Sequence, residues 1–116
     1  MDALPSESLC IIWSSADAEV ALNMAFMYAR NSLFKGWWRR TRLLVWGPSA
    51  RVLSESPELQ KELESLREAG VELWACKACA DKYGVAEKLE TLGLTVQYTG
   101  QPLTDMLKQG WKVLTF

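Results

Sequence analysis

The sequence contains no histidine among its 116 residues. That absence removes the Ser-His and Cys-His dyads, an imidazole general base and every His-bearing zinc site. An excess of charge of either sign is also missing. Thirteen basic residues stand against fourteen acidic ones, a net charge of -1, so no global basic field attracts nucleic acid, which is an unlikely partner. Charges interrupt every apolar stretch well short of a spanning helix, so no membrane segment is expected. The N-terminal stretch Met1 to Ser8 is acidic and has no basic residue, so it lacks a signal-peptide n-region. Three cysteines are an odd number, which argues against a disulfide framework. These absences predict a cytoplasmic chain without cofactor or metal. Its chemistry must run on cysteine, carboxylate, hydroxyl, lysine or backbone groups.

Hydrophobic residues make up 49% of the chain, enough for a core in one domain over residues 1–116. Short apolar runs alternate with amphipathic stretches. Leu9–Trp13 reads as a strand buried on both faces. Ser14, Ser15 and Asp17 offer N-cap groups to a helix from Ala18 to Phe34, closed at Gly36. Leu43–Trp46 is a second strand, followed by a Gly47-Pro48-Ser49 turn, and Pro57 opens a helix that ends at Gly70. Val71–Ala75 is a third strand, Cys76–Tyr83 and Val85–Leu92 are short helices, and Leu94–Tyr98 is a fourth strand. A short helix after Gly100 and Pro102 ends at Gly110, and Trp111–Phe116 is a terminal strand. Five strands separated by helices predict right-handed crossovers and a parallel sheet covered on both faces.

In such sheets ligands bind beyond the carboxyl ends of the strands. The candidate pocket edge is therefore Ser14, Ser15 and Asp17, then Gly47 and Ser49, then Lys77, with Thr99 after strand four. The element richest in chemistry is Cys76-Lys77-Ala78-Cys79. A cysteine where a strand turns into a helix meets unpaired N–H groups that favour thiolate, and Lys77 adds a positive charge nearby. Cys79 lies one helical turn on, placed to resolve an oxidised Cys76 or to pack. A dithiol redox site, a zinc site shared between subunits and two small buried hydrophobes are the competing readings. Cys10, inside a strand, reads as core. Ser14, Ser15 and Ser49 have no imidazole base, and cap or turn duty explains them.

Five of the six tryptophans fall into two groups. Trp13, Trp46 and Trp74 stand at strand ends, as an aromatic wall beneath a pocket or as filling between sheet and helices. Trp37-Trp38 beside Arg39 and Arg40 suits an oligomer interface or packing better than a stacking patch for single-stranded nucleic acid.

The run Gly70 to Val85, in which a strand ends in Cys76 and the helix it opens closes at Gly84, resembles the DsrE/DsrF-like sulfur-relay family. Ser14-Ser15-Ala16-Asp17 before an alanine-rich helix, and Leu44-Val45-Trp46-Gly47-Pro48-Ser49, are similar to it as well. The resemblance implies a three-layer α/β/α sandwich, flavodoxin-like in appearance, with a five-stranded parallel sheet whose last strand lies beside its first. It also implies a homo-oligomer, and a persulfide passed on a cysteine between donor and acceptor proteins. Cys76 matches that cysteine, with Cys79 as a resolving or supporting thiol. The expected function is a small sulfur (persulfide) carrier, at most sulfurtransferase-like. The alternative is a non-enzymatic oligomeric binding or scaffold module with a strand-end pocket.

Overall fold

Leu9, Ile11 and Trp13 point to one side of the first strand while Cys10 and Ile12 point to the other, and both sides are buried. A strand of this kind belongs in the middle of a sheet, and the computed structural model, which describes residues 3–116, places it there. Met1 and Asp2, which begin the acidic N-terminal stretch, lie outside the described residues. The strands are β1 (Ser8–Trp13), β2 (Arg40–Val45), β3 (Glu72–Cys76), β4 (Thr95–Gln97) and β5 (Lys112–Thr115). All pair in parallel, in the order β4-β3-β2-β1-β5, so the last strand does lie beside the first.

This order divides the helices unequally. From β1 to β4 each strand is added on the same side, and right-handed crossovers then put every intervening helix on one face. Those helices are α1 (Ala18–Val20), α2 (Phe26–Phe34), α3 (Ser49–Glu55), α4 (Pro57–Ala69), α5 (Lys77–Lys82) and α6 (Ala86–Thr91). Phe26, Leu53, Leu59, Leu63, Leu66 and Leu89 from this set close the larger core over Leu9, Ile11, Trp13, Leu43 and Val45. Each buried leucine contributes about 2 kcal/mol by leaving water. The step to β5 reverses direction, so α7 (Gly100–Gln109) crosses the opposite face. There Leu103 and Met106 cover Cys10, Ile12 and Leu44, with Trp46, Trp74 and Trp111 around them.

Arg42 fills part of this second face. Its side chain is 7% exposed, with Cζ 3.6 Å from the ring centre of Trp74 and 4.7 Å from that of Trp111. Nη2 donates to Glu72 at 2.9 Å, and Arg40 pairs with the same carboxylate. Burial works against the Glu72 charge, but the two guanidiniums outweigh it and hold its carboxyl below the usual range.

Four expectations need correction. Strand two begins at Arg40 rather than Leu43, because the charged Arg40 and Arg42 occupy alternate positions on the second face and break up the apolar run. The segment after Gly47-Pro48 is the helix α3: Ser49 and Ser54 hide its pattern, yet Ala50 and Leu53 are fully buried. The first long helix is not regular throughout, because Ala21–Ala25 forms one π turn between α1 and α2. The three strand-end tryptophans also do not form one wall. Trp13 packs edge-on against Phe26 in the larger core, whereas Trp46 and Trp74 face the other side of the sheet.

Candidate thiol site at the carboxyl edge of the sheet

β3 ends at Cys76, whose extended backbone (φ -70°, ψ 119°) makes it the residue that precedes α5 rather than part of it. Pairing with Gln97 of β4 holds it in the sheet, and it is only 4% exposed. Burial of this kind raises a thiol pKa, since it penalises the thiolate. Here four donors outweigh it. The hydroxyl of Thr99, the N–H and thiol of Cys79 and the N–H of Ala78 face the sulfur and bring its pKa below the ordinary thiol value. Sulfur is a large, diffuse acceptor, so these donors act on the charge of the thiolate. The neutral side chain closes no capping hydrogen bond.

Cys79 moves the other way. Burial is the largest cause, and the adjoining Cys76 adds to it, against the N–H of Gly47 and the charge of Lys82. Its pKa is raised, so of the two sulfurs Cys79 keeps the proton and Cys76 loses it first. Gly47 serves this arrangement through its backbone. Its φ of +93° lies in the left-handed region, and a Cβ there would stand 3.4 Å from the Ser14 carbonyl oxygen.

The remaining predicted edge residues have other work. Lys77 pairs with Asp81: its Nζ lies 3.0 Å from that carboxylate and 5.9 Å from the Tyr98 ring centre, and the Asp81 partner raises its pKa. Ser49 is fully buried and donates to the Trp13 carbonyl at 2.6 Å. Ser14 donates to the Phe116 carbonyl, and Ser15 accepts from the Trp13 indole. Asp17 caps α1 through the N–H groups of Glu19 and Val20. Of the seven edge residues, the structure brings Thr99 and Gly47 to the cysteine pair. Grooves of about 500 and 590 Å³ lie elsewhere, the first between α2 and α4 and the second beside Arg39 and Trp111. The candidate site is a pair of thiols with donors around them.

Cys10 is core, as expected, and burial pushes its thiol up to about 12 against the charge of Arg42. Among the described residues no group of three or more cysteines and carboxylates is placed to hold a metal ion, and no helix is long and apolar enough to cross a membrane. At the other end of the sheet the Trp37-Trp38 pair separates. The Trp38 indole donates to Tyr28 Oη at 3.1 Å and packs on the core, while Trp37 is 60% exposed.

The model of the DsrE/DsrF-like family matches residues 9–116. BT1422, a conserved protein of unknown function from Bacteroides thetaiotaomicron, has a solved structure that superposes with a TM-score of 0.90. It is 35% identical and the match covers 95% of each chain. The ychN protein from E. coli superposes at 0.71 with 23% identity, over 94% of this chain and 98% of that one. MTH1491, a protein of unknown function from Methanobacterium thermoautotrophicum, gives 0.78 with 19% identity over the same shares. The last two likenesses establish the fold alone. No curated protein matches the chain.

Proposed function

The chain belongs to the DsrE/DsrF-like family, and from that premise we propose that it takes up sulfane sulfur as a persulfide on Cys76 and hands it on to an acceptor thiol. The observation that carries this reading is a strand-end thiol that is nearly buried and yet has a lowered pKa. Thiolate is the form that attacks sulfur, and shielding from water protects a persulfide from side reactions. Cys79 is the supporting thiol. It keeps its proton, donates toward Cys76, and is the more exposed of the two. The added sulfur extends the Cys76 side chain by roughly 2 Å, which brings the transferable atom nearer to a docked acceptor.

Intact mass after incubation with polysulfide tests the reading. The expected result is a gain of about 32 Da, one sulfur atom, that disappears in Cys76→Ser and on treatment with a reducing thiol. An unchanged mass in the wild-type chain, or an adduct that persists in Cys76→Ser, overturns it.

A second proposal rests on a different observation. Met24, Met27, Phe34 and Trp37, all at least 43% exposed, lie on the first long helix and the turn after it. Four large apolar side chains left in water along one element suit a contact with a second copy better. Light scattering at micromolar concentration should give a multiple of 13.1 kDa, and Phe34→Glu should return the monomer mass. A monomer in the wild-type chain sinks the proposal.

A further inference from the structure

We infer that Thr99 is a catalytic residue of the sulfur site: its hydroxyl donates to Cys76 Sγ whenever that sulfur carries negative charge, and so makes Cys76 the leaving group when sulfur is handed on. The transfer step rests on the persulfide reading above; the donation to the thiolate does not.

The inference begins with a cap that is not made. Thr99 is the residue that precedes α7, where a threonine hydroxyl ordinarily accepts from the N–H two or three residues on. The third position here is Pro102, which has no N–H, and the Thr99 side chain makes no capping bond. The residue is nevertheless 1% exposed, and its hydroxyl has no hydrogen bond of ordinary geometry. Buried hydroxyls without a partner are rare because they have given up water for nothing. The group that Thr99 faces is Cys76 Sγ. Sheet register explains the encounter: Cys76 pairs with Gln97, and Thr99 stands two residues further along the same chain.

A hydroxyl in this position gains little from a neutral thiol and much from a thiolate, so its interaction is held back for the charged state. Both halves of a transfer pass through that state. In loading, the Cys76 thiolate attacks the outer sulfur of a donor persulfide; the new Sγ–S bond forms, the donor's S–S bond breaks, and the donor departs as thiolate. In unloading, an acceptor thiolate attacks the outer sulfur; the acceptor–sulfur bond forms, the Sγ–S bond breaks, and the electron pair returns to Cys76 Sγ. No net oxidation occurs in either step. A lower thiol pKa makes a better leaving group, so unloading is the half that gains most from Thr99.

The test compares wild type with Thr99→Val, which has the same shape without the hydroxyl, and Thr99→Ser, which keeps it. Iodoacetamide labelling of Cys76, read peptide by peptide across pH, gives the thiolate midpoint without any need for sulfur transfer. Thr99→Val should raise that midpoint by about one unit, so that labelling below it slows roughly tenfold, and Thr99→Ser should restore it. After loading with polysulfide, thiocyanate release to cyanide should slow by a similar factor in Thr99→Val. The urea midpoint of Thr99→Val should equal or exceed that of wild type, because the removed hydroxyl has no other bond to lose. A Thr99→Val chain that labels at the wild-type midpoint, or that loses stability without a shifted midpoint, overturns the inference. If the midpoint shifts while wild type accepts no sulfur, Thr99 retains its role toward the thiolate and the persulfide reading alone fails.

Discussion

Cys10 and Cys76 lie on the same face of the sheet, on strands separated by β2, and both are almost wholly buried. Desolvation is the largest influence on each, and it pushes both thiols in the same direction. They nevertheless end on opposite sides of the ordinary value. Cys10, in the middle of β1, has its backbone groups committed to two neighbouring strands, and Arg42 nearby is already claimed by Glu72 and two indole rings. Cys76 stands where the ladder ends and a helix begins, so N–H groups and a hydroxyl are left over to face its sulfur. Burial sets the penalty for ionising a cysteine. Uncommitted donors decide whether the penalty is overcome, and a strand end supplies them where a strand middle does not.

The contrast is most strongly broken from the Arg42 side. Arg42→Ala removes the cation between Trp74 and Trp111 and leaves Glu72 with Arg40 as its guanidinium partner. It should cost about 3 kcal/mol in urea unfolding, and a loss under about 1 kcal/mol would show that the second face draws little from this cage. The next effect belongs to Cys10. With a folded pKa near 12 against 9.0 for the free thiol, the folded chain keeps a proton that the unfolded chain loses. Its contribution is fully present below pH 9 and declines as pH rises toward 12, by about 2 to 3 kcal/mol at pH 11. Cys10→Ala should flatten that alkaline decline, whatever constant stability the small cavity removes; an unchanged slope contradicts it. The smallest effect is at Cys79. Cys79→Ala removes the S–H donor and leaves the backbone N–H, so the labelling midpoint of Cys76 should rise by less than one unit. A fall would show that Cys79 opposes the thiolate.

Much of the architecture was readable because the signals were local and redundant. Continuous apolar runs marked Leu9–Trp13, the glycine after α4 marked its end, and Pro57 marked its start. The misreadings share a cause. Arg40 and Arg42 belong to a strand because its second face is lined by indoles and a carboxylate, which only tertiary pairing brings together. The helix α3 is only seven residues long, and its serines bond to local backbone as they would in a turn. At the candidate site, Cys76 and Cys79 stood out in the sequence as a pair where a strand turns into a helix, whereas Thr99 was readable only as part of the pocket edge. Lys77 is adjacent in sequence and its charge goes to Asp81, whereas Thr99 is distant in sequence and adjacent across the sheet. One sequence signal did point to it: a threonine before a helix whose third residue is proline has a hydroxyl with less to cap.

The placement of β5 beside β1 has a consequence for how the chain acquires its structure. Ser14 and Phe116, 102 residues apart, are joined by a hydrogen bond across that pair of strands. Contacts that close so long a loop form late, after local helices and the β1–β2 and β2–β3 pairings have reduced the entropy of bringing the ends together. Until then the most apolar strand in the molecule presents a bare edge, and α7 has no completed surface on which to settle. Without β5 in place, the order β4-β3-β2-β1 would end on β1 and leave one side of that strand open to mispairing.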